Sequence, residues 1–366
     1  MIDYLLDLQR IRQYLNWPLR AEMLMDATRS DLGFLSQVRK GFVPLPTDRP
    51  RDHVEVFPAQ SQRDLSALAG RRVALIGTGG SGALASMVGA AQVLHEAGIQ
   101  PSSYGVCSGS AFFGVPLAAG MTPEQVAEAT LRLMPRDYID PDWAGTFTAP
   151  WKLMRGWAGL LRGDRLEATY RAMLGDVTLG ELPYPVWLPV WNIERNRLEY
   201  LGPDTHPDLV AAVAVRMAVA LPLAIQPNAL DGGYWLDGGI VDILPAEPFV
   251  DTDRADVAIV VNGFYGPGFT ADEEPDWQHR PLSLLHIANQ TRTMQHLQLA
   301  RRSMADLHRS IDEVVELNPI PYETVHGAGL YGQFLDSSRW PEFMRAGYDV
   351  AAESLTRLQE QAVATR

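Results

Sequence analysis

The chain has 366 residues, 46% of them hydrophobic and 20% charged, with a net charge of −13. That balance excludes global disorder and fits either one large α/β domain or two smaller ones. The excess of acid argues against a broad nucleic-acid surface, and the single cysteine, Cys107, excludes an internal disulfide and a multi-cysteine zinc site.

In chain order, Tyr4, Leu5, Leu8, Ile11 and Leu15 recur at helical spacing and predict an amphipathic helix within an N-terminal helical extension, residues 1–70. Asp3, Asp7, Arg10 and Arg12 interrupt the apolar residues there, so no cleavable secretion signal is expected. A loop rich in proline and charge follows from Phe42 to Pro58. From Arg71 the pattern changes. Val73 to Ile76 is a short apolar run ending in glycines, which predicts a buried strand. Ser81 to Ala97 predicts a helix stopped by Gly98, Ser102 to Val106 a second strand, and Ser110 to Gly120 a second helix. Thr122-Pro123-Glu124 reads as a capped helix start. Strand, glycine turn and helix, taken twice, imply a parallel α/β sheet. Further on, Val186–Ile193, Tyr234–Asp237 and Val257–Val261 are expected strands. Leu209–Ala220, Leu282–Arg309 and Trp340–Gln361 are expected helices. The most apolar stretch, Val210 to Ile225, is broken by Arg216 and Pro222, too short a run for a membrane span. A cytoplasmic location is the default expectation.

Three motifs carry chemistry. Gly77-Thr78-Gly79-Gly80-Ser81-Gly82 places Gly77, Gly79 and Gly82 in G-x-G-x-x-G spacing between a strand and a helix. A dinucleotide site would want an acid at the end of the next strand, and Ser102–Val106 supplies none. The same loop can instead aim backbone amides at a developing oxyanion. The second motif, Gly105-Val106-Cys107-Ser108-Gly109-Ser110, has the form of a G-x-S-x-G nucleophile elbow with Cys107 at its centre. A helix N-terminus would favour the thiolate there. The plainer reading of Cys107 is a small core residue, and Ser108 and Ser110 stand as reserve nucleophiles. The third motif runs from Asn228 to Gly239 and holds two Asp-Gly-Gly triplets, at Asp231 and Asp237.

In this order and spacing, the set resembles the patatin-like phospholipases, relatives of the acyl-carrier transacylases. The resemblance runs from about Arg71 to Gln361. It implies a three-layer α/β fold over residues 71–366, with a mainly parallel central sheet and helices on both faces. It also implies a nucleophile–aspartate dyad without histidine, which fits eight histidines of which none lies in a motif. Carried over position by position, the nucleophile is Cys107 and the base is Asp237, whose triplet with Pro245 downstream fits better than that of Asp231. The oxyanion amides are those of Gly79, Gly80 and Ser108, and the motif glycines are Gly77, Gly82, Gly105, Gly109, Gly238 and Gly239. No metal and no cofactor is implied. The sequence departs from the family pattern in its cysteine, in Ser81 where the loop usually carries a cation, and in Ile243 where asparagine is usual.

A sulfur nucleophile implies an acyl-cysteine intermediate, hence acyl hydrolysis or transfer on an ester or thioester substrate, including acyl groups on a carrier protein or coenzyme A. The alternatives are a phospholipase or lipid-ester hydrolase, a non-catalytic acyl-binding protein, a serine enzyme whose serine has been altered, and a dinucleotide-binding oxidoreductase. Residues 140–182, rich in tryptophan, read as a lid or cap insertion over an acyl pocket. Membrane contact is not expected.

Overall fold

The structure, a computed structural model, describes residues 56–58, 63–263, 283–321, 324, 333–334 and 337–364. The expected helix at Tyr4–Leu15 lies outside them, as does most of the Phe42–Pro58 loop. Among the described residues the strands are β1 (Val73–Gly77), β2 (Ser103–Val106), β3 (Gly159–Leu161), β4 (Val186–Asn192), β5 (Arg197–Leu201), β6 (Leu223–Ile225), β7 (Asn228–Leu230), β8 (Gly233–Asp237), β9 (Val257–Val261) and β10 (Glu313–Leu317). The main sheet has the order β10-β9-β1-β2-β4-β8-β7, with β5 also paired to β4. The first five strands are parallel, and β5, β7 and β8 join antiparallel. A separate parallel pair joins β3 to β6. The sheet is thus mixed and mostly parallel.

Alternation along the strands sends side chains to two cores. Val73 and Leu75 of β1, with Val257, Ile259 and Val261 of β9, face one. Ala74, Ile76, Ala258 and Val260 face the other, where Phe249, Met304 and Leu307 cover them. On the first face lie α1 (Ser86–Glu96), entered through a tight turn at Ser81–Ala85, α2 (Gly109–Ala118) and α3 (Pro123–Leu131). Thr122 and Gln125 complete a reciprocal cap on α3. The helix α2 contains no charged residue and is buried all round, its Phe112 and Phe113 packed edge-on against Trp340. Further along come α4 (Trp143–Thr148), α5 (Asp164–Leu174), α6 (Ala211–Ala218), α7 (Ser283–Ser310) and α8 (Trp340–Ala364). The helix α8 lies along α1, where the Gly89 and Gly347 positions admit no Cβ. Met304 and Leu307 place α7 against the opposite face. Among the described residues no helix is long and apolar enough to cross a membrane.

Candidate active site

Parallel strands β1 and β2 end side by side, with Gly77 in register with Val106. Both chemical loops therefore leave the same edge of the sheet, the usual ligand-binding edge of such folds. They touch directly. A Cβ on Gly109 would lie 2.0 Å from the Ser81 carbonyl oxygen, so only glycine lets the elbow rest on the glycine loop. Gly109→Ala is expected to destabilise the fold by about 3 kcal/mol or more through this overlap with backbone, read as a shift in the urea midpoint. Gly77, Gly105 and Gly238 make room for Ser110, Phe249 and the Pro189 backbone, and Gly82 backs onto Gln333 and Trp340.

At the elbow, the structure buries the cysteine expected as nucleophile and leaves the next residue partly exposed. Cys107 is 0% exposed, and its thiol donates to the Asp242 carbonyl at 3.6 Å, beneath the turn. Burial pushes the thiol pKa well above its ordinary value, and the nearby carboxylates of Asp237 and Asp242 push the same way. The sulfur is therefore a buried core group. The next residue, Ser108, is partly exposed and caps α2 with φ 52° and ψ −120°. Positive φ is uncommon outside glycine and marks a constrained functional turn. The Ser108 side chain lies beside the Asp237 carboxylate and pulls its pKa down. Ser110 is fully buried. Its hydroxyl accepts from the Cys107 amide at 2.7 Å and lies 2.8 Å from the Gly77 carbonyl, tying β1 to the elbow.

The sequence did hold a signal for Ser108. Read one residue later, Val106-Cys107-Ser108-Gly109-Ser110 is also an elbow, with valine and serine at the outer small positions. The fold accommodates both. Gly114 clears space for Val106, since a Cβ there would come within 2.5 Å of the valine methyl, and the Ser110 hydroxyl is absorbed by the bonds just described.

Asp237 ends β8 and is buried. Its Oδ1 accepts from the Gly239 amide at 2.8 Å. A Cβ on Gly239 would lie 3.0 Å from that oxygen and 2.8 Å from the Cys107 sulfur, so glycine is required for this closeness too. Burial pushes the Asp237 carboxyl up to about 7, against the downward pull of the Ser108 and Gly239 hydrogen bonds. Asp231, in contrast, sits exposed at the β7–β8 turn with φ 50°, followed by Gly232 at φ 77°. This is hairpin chemistry.

Gly79 also departs from expectation. Its amide donates to the Ile243 carbonyl at 2.9 Å, and the Ile243 side chain packs on its Cα, so Gly79 anchors the loop. Gly80 and Ser81 follow with φ 156° and 60°. Gly109, opening α2, has no acceptor one turn earlier, and its amide belongs to the positive end of the helix.

Sequence reasoning missed Asp242. Its carboxylate takes hydrogen bonds from the hydroxyls of Tyr200 on β5 and Ser303 on α7, and burial holds its pKa up at about 6. Its own amide donates to Gly238 at 2.9 Å. Asp242 thereby ties the Asp237–Ile243 segment to two other elements. In the tryptophan-rich segment, Phe147, Trp151, Leu153 and Met154 face solvent.

Residues 75–250 match the family model described as patatin-like phospholipase. Proteins of Mycobacterium bovis and Mycobacterium tuberculosis, each described as an uncharacterized NTE family protein, are 29% identical over 236 residues, 61% of this chain and 59% of theirs. The chain thus spans under two thirds of the length of these relatives. Among solved structures, VipD from Legionella pneumophila gives a TM-score of 0.44 at 15% identity, over 78% of this chain and 67% of that one. Human GIVD cytosolic phospholipase A2 gives 0.40 at 10% identity, over 81% and 60%.

Proposed function

Since the chain carries a patatin-like phospholipase domain, we propose that it is a lipid acyl hydrolase working through a Ser108–Asp237 dyad. The observation that carries this reading is Ser108, held at a strained strand-to-helix turn beside the buried carboxylate of Asp237. Asp237 removes the hydroxyl proton as Oγ attacks the ester carbonyl carbon. The carbonyl oxygen becomes an oxyanion, stabilised by the amides of Gly80 and Gly109 and by the N-terminus of α2. As the tetrahedral intermediate collapses, the carbon–oxygen bond to the alcohol breaks and Asp237 returns the proton to that alcohol. The acyl group stays on Ser108 as an oxygen ester. Water, deprotonated by Asp237, then releases the fatty acid and restores the hydroxyl.

The absence of histidine from the dyad is consistent with this scheme. A carboxylate with a pKa near 7 can both take and return a proton at neutral pH, the task histidine performs elsewhere. With serine as the nucleophile the intermediate is an oxygen ester, and lipid-ester hydrolysis is the reading we favour over thioester exchange.

The test is covalent labelling. The chain is incubated with an alkyl fluorophosphonate and digested, and fragment masses separate residue 107 from residue 108. A phosphonyl adduct on Ser108, absent from Ser108→Ala, is the expected result. An adduct on Cys107, or labelling that survives Ser108→Ala, would reject the dyad.

A further inference from the structure

We infer that residues 143–160 form a docking surface for an anionic phospholipid bilayer. The segment begins with α4, turns through residues 149–157 and enters β3. Its large apolar side chains point outward. Phe147 is 68% exposed, Trp151 84%, Leu153 77% and Met154 54%. Monomeric proteins scatter such residues singly, and a concentration of them on one segment marks an interaction surface. Tryptophan and phenylalanine among aliphatic side chains suit the headgroup level of a bilayer, where an apolar ring meets a wet boundary. The backbone reinforces the point. Leu153 and Met154 both hold positive φ, 51° and 59°, in a turn closed by Met154 N–H to the Ala149 carbonyl at 2.8 Å. A bulky residue in that conformation costs about 1–2 kcal/mol, and here two adjacent ones adopt it to present apolar groups to solvent.

Charge selects the occupant. Residues 143–160 contain Lys152 and Arg155 and no acid, in a chain of net −13. Both cations are exposed, and among the described residues neither forms an ion pair. Lys152 lies between Trp151 and Leu153, and Arg155 follows Met154, so one contact can seat apolar groups below the headgroups and the cations on phosphates. Repulsion from the acidic remainder is screened beyond about 8 Å at physiological ionic strength, which leaves the local cations to act at contact.

The surface also stands at the site end of the sheet. Gly105 of β2 pairs with Trp187, and β4 continues past that point to Asn192, with Val190 opposite Asp237. Leu236, next to Asp237, packs with Ile225 of β6 and Leu161 of β3, and Gly159 of β3 is in register with exposed Leu223. A bilayer seated on this segment would lie on the side of the molecule where Ser108 opens.

This inference goes beyond the hydrolase reading and is tested without turnover. The full chain carrying Ser108→Ala is sedimented with vesicles of phosphatidylcholine, alone or mixed with phosphatidylglycerol. It is expected to pellet with the mixed vesicles. Trp151→Ala with Leu153→Ala is expected to weaken that binding by about tenfold or more. Lys152→Glu with Arg155→Glu is expected to abolish the preference for the anionic mixture. Circular dichroism and Tm should not move, because these side chains face solvent. Failure of the parent to pellet, or equal pelleting of the variants, would overturn the proposal. So would a concentration-dependent dimer lost on the same substitutions, which would assign the surface to a second copy of the chain.

Discussion

Ester turnover by a Ser108→Ala variant is expected to fall by about 10⁴-fold or more, the usual scale when the nucleophile of a covalent mechanism is removed. Cys107→Ala, one residue away, is expected to retain kcat/KM within about threefold, a difference of less than 1 kcal/mol. The contrast follows from where each side chain points. Ser108 is partly exposed at the turn beside Asp237, whereas the Cys107 thiol is buried and donates to the Asp242 carbonyl. Cys107→Ala should instead appear in stability. It deletes one buried sulfur and a weak hydrogen bond, a loss of about 1–2 kcal/mol. Kinetics on a short-chain p-nitrophenyl ester, with urea unfolding of the same samples, separate the two effects. Turnover lost in Cys107→Ala and kept in Ser108→Ala would reverse the assignment.

That single-residue displacement shows where the sequence was legible. Apolar runs bounded by glycine marked β1, β2 and β9, because parallel strands buried on both faces are predominantly apolar. The glycine loop, the elbow and the Asp237 triplet were also legible, since each needs backbone geometry that few residue types tolerate. The elbow's register was not. Both frames carry small residues at the required offsets, and the features that favour Ser108, the Gly114 clearance beside Val106 and the buried bonds of Ser110, depend on how α2 packs. Asp242 was out of reach because its partners, Tyr200 and Ser303, lie 42 and 61 residues away. Short or edge strands escaped as well. In β10, Glu313-Val-Val-Glu-Leu puts charge into a strand with one neighbour only, so the apolar run is broken. For residues 140–182, aromatic content fits a cap over a pocket and an outward-facing surface alike, and periodicity alone does not separate the two.

Asp237→Asn should make the protein both nearly inactive and more stable, and pH tells the two effects apart. A free aspartate titrates near 3.9, whereas burial holds Asp237 at about 7. The folded chain therefore keeps a proton that the unfolded chain releases across that interval. Below about pH 4 the shift costs nothing. As pH rises through the interval the folded state loses ground, and above about pH 7 the loss levels off at about 4 kcal/mol. Asparagine cannot ionise, and its side-chain oxygen can still accept from the Gly239 amide, so the variant should gain most of that amount at pH 8 and almost none at pH 4. Asp242 and Asp140, also buried with raised pKa values, remain in both proteins, so the difference between the two urea curves isolates Asp237. Activity runs the other way. The base must be ionised to accept the Ser108 proton, so wild-type kcat/KM should rise about tenfold per pH unit up to about 7 and then level. The variant should show a flat profile lower by about 10²–10⁴-fold, the span of general-base assistance. A wild-type profile already flat at pH 5, or a variant no more stable than wild type at pH 8, would mean that this carboxylate is neither the base nor the strained buried charge described above.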